Sequence, residues 1–384
     1  MWASITPSSC DAARRPAVRA PRGPAGHEPI RPGYGRAMRF GLFIPQGWRQ
    51  DLTGIEPAKH WEVMHSLARR ADTVFAGEGL PGAQHAWESI WVYDHFHTVP
   101  EPTHEATHEA WSLMAAFAAS TERVRLGQMC TCMAYRNPAY LAKFATTVDH
   151  VSGGRIEMGI GAGWYEHEWR AYGYGFPRAG LRLDALAEGV DIMAQMWRTG
   201  EATLDGSVYQ VSGARNYPQP LQHAAGEAAG PSIPLWIAGG GEKRTLRIAA
   251  EYAQYTNFAG DLETFRHKSE VLAGHCADLG RDFGEITRSG NFNVVIAPTE
   301  KEVQDQLAWI DSHLRKTVSD VKADGEMEGL RNGPMVGTPE QIVERIGEFR
   351  DAGLAYTIGY FPGIAYDTTG VELFEREVIP AFQA

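Results

Sequence analysis

The stretch that most constrains this chain runs from Arg123 to Trp169 and reads RVRLGQMCTCMAYRNPAYLAKFATTVDHVSGGRIEMGIGAGWYEHEW. An apolar run, Val124 to Cys132, comes first. Asn137-Pro138 then opens a segment with helical spacing at Leu141, Phe144, Ala145 and Val148. Asn before Pro suits a helix start, because Pro at the first position lacks only an N–H that would be unpaired anyway. Ser152-Gly153-Gly154 ends that helix, and Arg155–Ile160 forms a second apolar run closing in Gly159, Gly161 and Gly163. Strand, helix and strand in this order make a βαβ unit with two parallel strands. The loops after such strands lie at their carboxyl ends, where α/β enzymes place their chemistry.

The same alternation fills the chain from Met38 onward. Candidate strands are 39–44, 89–93, 124–130, 155–160, 235–238, 254–256, 292–296 and 356–360. Helical patterns lie between them, at 57–71, 108–120, 138–150, 182–197, 243–250, 262–279, 300–312 and 339–352. Eight strands alternating with helices predict an α/β fold, a (β/α)8 TIM barrel. Beyond the helix at 182–197, residues 199–233 read as an irregular insertion after strand 4. Residues 76–87 read as a second insertion, and 316–334 as a polar loop.

Residues 1–37 are rich in Ala, Arg, Pro and Gly, with no apolar period. They predict a disordered extension, and Met38, followed at once by RFGLFIP, is the expected natural start. The domain proper is then 38–384. A net charge of −11 argues against nucleic acid as a partner. No apolar run approaches the roughly 20 residues that cross a bilayer. The four cysteines are few for the length, which predicts a reducing, cytoplasmic setting.

Several motifs compete for the chemistry. His104-Glu105-Ala106-Thr107-His108 matches the H-E-x-x-H zinc pattern, but a tandem THEA duplication, Thr103 to Ala110, generates it by accident. It falls in a loop entering a helix, so no metal is expected. Gly159-Ile160-Gly161-Ala162-Gly163-Trp164 follows a strand as a dinucleotide fingerprint would. Trp164, however, stands where the third glycine is needed for close packing. The other reading is that these glycines let backbone approach a flat ligand at a barrel mouth. Gly239-Gly240-Gly241 after Ala238 precedes a helix, with Lys243 or Arg244 to add charge; this is an anion site or a plain tight turn. Asp94-His95 ends the second strand. Imidazoles suit proton transfer near neutrality, and an adjacent carboxylate can fix the tautomer. Glu166, His167 and Glu168 either reach the site or merely begin a helix. Of eleven tryptophans, Trp48, Trp91, Trp164 and Trp236 lie in or near strands and either wall a planar pocket or fill core.

With these residues in view, the chain from Met38 on resembles the luciferase-like flavin/deazaflavin monooxygenase superfamily, closest to its F420-dependent branch. The motifs that carry the resemblance are MRFGLFIPQG, SIWVYDHF, RVRLGQMCTCMAYRNPAYLAK, TVDHVSGGRIEMGIGAGWYEHEWRAYGYGF and IPLWIAGGGEKRTLRIAAEYAQYTNF. The resemblance implies coenzyme F420 at the carboxyl ends of the strands, with FMN as the alternative. It implies Asp94 and His95 as the catalytic pair beside the ring. It implies a strand-three bulge at Met129-Cys130 with a non-prolyl cis peptide, and Thr131 close to the ring. Gly161, Gly163, Trp164, Ala238, Gly239, Gly240, Gly241 and Lys243 complete the expected cofactor contacts. Sugar-phosphate dehydrogenases of this group carry a catalytic Glu where this chain has Trp164, which argues against that substrate. The implied activity is hydride transfer between reduced F420 and a small organic molecule. The alternatives on the same fold are an FMNH2/O2-dependent monooxygenase and a non-catalytic flavin-binding protein. Members commonly form dimers or tetramers, so a homo-oligomer is expected.

Overall fold

The computed structural model describes residues 37–77, 84–224, 230–258 and 260–383. These belong to the second of two units into which the chain divides, Pro32–Ala384. The expected disorder of residues 1–37 falls almost wholly outside the described residues, as does the centre of the 76–87 insertion.

The strands of the barrel are β1 (Arg39–Phe43), β2 (Ser89–Val92), β3 (Arg125–Gln128), β4 (Ile156–Gly161), β5 (Leu235–Ala238), β6 (Tyr255–Asn257), β7 (Thr287–Asn293) and β8 (Tyr356–Tyr360). Each pairs in parallel with the next, and β8 returns to β1 with Arg39 opposite Tyr356. Closure removes every edge, so no strand is left with an unpaired row of backbone groups. The crossovers are the helices anticipated from the apolar spacing. Helix Pro138–Ser152 shows why the reading works. Asn137 accepts from the amides of Ala139 and Tyr140, Pro138 sits in the first turn, and Gly153 closes the helix at φ 70°.

Strand alternation sends one set of side chains outward under the helices and the other into the barrel. The inward set is aromatic: Phe43, Trp91, Tyr93, Trp236, Tyr255, Tyr356 and Tyr360. Trp91 fits because its neighbours are glycines. A Cβ on Gly127 would come within 2.2 Å of the indole, and one on Gly41 within 2.6 Å. At the amino-terminal end the interior is charged. Arg125 pairs with Glu157, and Trp236 Nε1 donates to the same carboxylate at 2.6 Å. This layer seals the floor, so any ligand enters from the carboxyl ends.

Three expectations are corrected. Strand seven is Thr287–Asn293, starting five residues before the expected 292, because its sequence TRSGNFN has no apolar run to announce it. The region after β4 is not irregular. It carries an antiparallel hairpin, Glu201–Asp205 with Gln210–Arg215, whose side chains are mostly exposed and so show little apolar alternation. The 316–334 segment contains a helix, Asp320–Arg331, held down by Ala323, Met327 and Leu330. That apolar stripe is only three residues wide in a polar stretch. With Glu300–Leu314 the helix packs on a small core of its own around Val303, Leu307 and Ile310, inside the connection that follows β7.

Candidate active site at the barrel mouth

Beyond β2 the chain runs through Tyr93 and Asp94 to His95. The His95 ring is fixed from two directions. Its Nδ1 lies 2.8 Å from Glu168 Oε2. One face stacks on the Trp48 indole, with centroids 4.2 Å apart and planes 1° from parallel. Trp164 meets it edge-on at 5.8 Å. Glu168 is fully buried and ionised, and it also accepts from the amides of Phe96 at 2.7 Å and His97 at 2.8 Å, and from the Tyr135 hydroxyl at 3.0 Å. Burial pushes this carboxyl up, but the His95 ring and the two amides outweigh it and hold it below the usual range. An ionised partner at Nδ1 requires the proton there, which leaves Nε2 as the free acceptor. Nε2 has no hydrogen-bond partner among the described residues.

The expectation that Asp94 orients His95 is therefore corrected. Asp94 faces away from the ring. Its oxygens accept from Arg136 at 2.7 and 2.9 Å and from the Cys132 amide at 2.9 Å. It ties the end of β2 to the segment after β3, and Arg136 continues the tie to Glu109. Adjacency in sequence misled here, because successive residues leaving a strand point to opposite sides. Glu168 sits on the short helix Glu166–Ala171, so it both starts a helix and reaches the site. His167 does not join Glu168 at Nδ1; it packs against His97 and Tyr165.

The peptide between Met129 and Cys130 is cis, as the resemblance implied. Both residues turn into the mouth, in the cluster that holds Trp48, Tyr93 and Ala238. The glycines of β4 explain how. A Cβ on Gly159 would lie 1.9 Å from the Gln128 carbonyl oxygen, one on Gly161 2.7 Å from Cys130 Sγ, and one on Gly163 2.5 Å from Cys132 Sγ. The bulge thus occupies the space that the glycines vacate. The reading that Gly161 and Gly163 admit a ligand's face is corrected accordingly: they admit the neighbouring strand. Changing Gly161 to Ala is expected to cost about 1–3 kcal/mol of stability by overpacking, measured by urea unfolding. Thr131 is corrected as well. It is fully buried, and its hydroxyl donates to Gln128 Oε1 at 2.8 Å, so it offers no surface to a ligand. Burial, with the Asp94 charge added, pushes the Cys130 thiol up to about 12, so it is no nucleophile.

Of the four tryptophans singled out, Trp91 and Trp236 are core, while Trp48 and Trp164 flank His95. The H-E-x-x-H match lies in irregular chain before helix Ala110–Ser120, so it lacks the i, i+4 geometry, and His108 Nε2 sits 3.0 Å from His60 Nδ1.

At the far side of the mouth, Gly239 to Gly241 lead from β5 into helix Thr245–Tyr252 and border an open cleft of about 430 Å³. Gly239 takes φ 112°. Lys243 lines the cleft and makes no hydrogen bond or ion pair among the described residues. Arg244 is taken by Asp184 at 2.5 Å. No local signal announces Lys268, which arrives from helix Leu262–Leu279 with its stem 3.5 Å from the position of a Gly240 Cβ. Its ammonium is 2.5 Å from Glu242. Two lysines beside the Gly240-Gly241 turn suit an anionic group.

Comparison with known proteins gives this arrangement a setting. Residues 38–356 match the family model described as luciferase-like monooxygenase. The F420-dependent glucose-6-phosphate dehydrogenase of Nocardia farcinica is 26% identical over 336 residues, spanning 78% of this chain and 91% of that one. Pyrimidine monooxygenase RutA of a Bradyrhizobium species is 34% identical over 265 residues, spanning 64% of this chain and 66% of that one. Among solved structures, an F420-dependent secondary alcohol dehydrogenase in complex with an F420-acetone adduct superposes with a TM-score of 0.68 at 22% identity, covering 91% of this chain and all, 100%, of that one. The EDTA monooxygenase of Chelativorans superposes at 0.69 with 15% identity, covering 91% and 94%. At such identities the superpositions speak for the barrel.

Proposed function

Because the chain belongs to the luciferase-like monooxygenase family of oxidoreductases, we propose that it transfers a hydride between reduced coenzyme F420 and a small organic substrate. The observation that carries this reading is His95, held by Glu168 with Nε2 free, beside the Met129–Cys130 bulge. The residues fit such a cofactor. Met129, Cys130 and Ala238 give an apolar wall for a flat ring, and the Gly239–Gly241 turn with Lys243 and Lys268 gives a cationic cleft for its phosphate. When bound, a deazaflavin supplies two-electron hydride chemistry, and the protein supplies orientation and electrostatics. His95 Nε2 would then take the proton from the substrate oxygen in the oxidising direction and, as the imidazolium, return it in the reverse direction. Trp164, in place of the glutamate of the sugar-phosphate dehydrogenases, argues against a sugar-phosphate substrate.

The 34% identical pyrimidine monooxygenase favours a second reading on the same site, FMN with O2. Titrating the purified protein with F420 and with FMN, followed by fluorescence, separates the two. We expect F420 to bind at least about tenfold more tightly. The reverse order favours the second reading, and no binding of either rejects both. Lys268→Ala is expected to weaken the bound cofactor about 3–10-fold while leaving the fold intact, since a charge-assisted contact at a partly exposed site is worth about 1 kcal/mol.

A further inference from the structure

The loop after β1 carries a feature that the hydride-transfer reading does not use. Trp48, the indole stacked on His95, is 9% exposed, and its Nε1–H is buried with no acceptor among the described residues. The next residue, Arg49, reaches across the ends of the strands. Its guanidinium lies over the Tyr360 ring at 4.4 Å and donates to Asn293 Oδ1 at 2.6 Å. Its acidic contact is long: Glu326 Oε2 at 3.5 Å, from helix Asp320–Arg331, with the Glu326 side chain 38% exposed. Asp51, two residues on, is turned to the Gly47 amide at 2.6 Å and the Tyr360 hydroxyl at 3.1 Å; it feels the Arg49 charge without a direct ion pair to it. The mouth therefore holds, at the ends of β7 and β8, an arginine with a loosely held, exchangeable counter-ion, on the same loop as the indole stacked on His95.

We propose that Arg49 receives a carboxylate of the substrate, displacing Glu326. A guanidinium fork matches a carboxylate bidentately. One guanidinium with an acid still nearby suits a monoanion better than a phosphate dianion. The substrate class is then a small monocarboxylic acid. This deepens the oxidoreductase reading and rests on it for the identity of the site.

The test is a titration of the purified full-length protein with benzoate and with benzamide, read by tryptophan fluorescence, in wild type, Arg49→Gln and Glu326→Gln. Benzoate is expected to bind, and benzamide about tenfold more weakly or not at all. Arg49→Gln is expected to weaken benzoate about 10–100-fold. Glu326→Gln, an exposed change that leaves the fold alone, is expected to tighten it several-fold by removing the competitor. Equal binding of the two probes, or benzoate affinity unchanged in Glu326→Gln, overturns the assignment even if Arg49→Gln fails to fold. A cofactor titration run alongside keeps the outcomes apart. Loss of both cofactors with benzoate bound rejects the oxidoreductase reading alone. Benzoate indifference with cofactor bound rejects only the carboxylate site.

Discussion

Replacing His95 by Ala is expected to cut turnover by about 10²–10⁴-fold while cofactor affinity changes by less than about threefold. The split follows from the placement of the ring. His95 offers Nε2 to the mouth, whereas the apolar wall and the Gly239–Gly241 cleft are built by other elements. A proton-transfer group contributes to the reacting state and little to resting binding. Steady-state rates with F420 and an oxidisable alcohol or reducible ketone, together with the cofactor titration, measure both halves. Unchanged turnover would remove His95 from the chemistry. A parallel loss of cofactor binding would make it a wall residue.

The second large effect belongs to Glu168. Its four partners are Nδ1 of His95, two backbone amides and the Tyr135 hydroxyl. Glu168→Gln keeps one oxygen for the amides but turns an NH2 toward His95. The ring must then accept at Nδ1 and carry its proton on Nε2, the wrong tautomer for a free acceptor. Tyr135 can rotate its hydroxyl to compensate. Turnover is expected to fall by on the order of 10²-fold, with the fold retained. Nitrogen NMR of the imidazole provides the readout that a merely structural role would not move: the proton shifts from Nδ1 to Nε2. A retained Nδ1 proton would refute the positioning role. A pH dependence follows from the same carboxylate. In the folded protein, against its burial, it is held below the ordinary glutamate value by the His95 ring and the Phe96 and His97 amides. Its contribution to stability is therefore complete above about 4.5 and is lost as the pH falls through the lower folded value. Acid unfolding of wild type against Glu168→Gln measures it, and the variant should show the shallower acid limb.

Much of the molecule was legible before any tertiary contact was known. The Asn137-Pro138 start and the Gly153 stop fix one helix locally, and runs such as Leu235–Ala238 and Tyr356–Tyr360 are strands by their apolar content. Less legible were elements whose burial is narrow or polar. β7 hides behind Asn and Ser, and helix Asp320–Arg331 behind its charges. Within the site, the sequence placed His95 at a strand end and named the bulge and the glycine turn. It misassigned the carboxylate partner, because Asp94 is next to His95 along the chain while Glu168 is next to it in space.

By itself the sequence determined the alternation of strand and helix, hence a closed parallel ring, and marked the carboxyl ends of its strands as the place to look for a site. Those are consequences of local periodicity and of capping, which act over a few residues. Only the tertiary structure decided which side chains face one another across the mouth. It set Trp48 on His95, gave Nδ1 to Glu168, filled the β4 glycines with the bulge, and brought Lys268 to Gly240. The physical reason is that ring closure joins residues tens to hundreds of positions apart. Their pairing depends on strand register and loop path, and neither leaves a mark in local spacing.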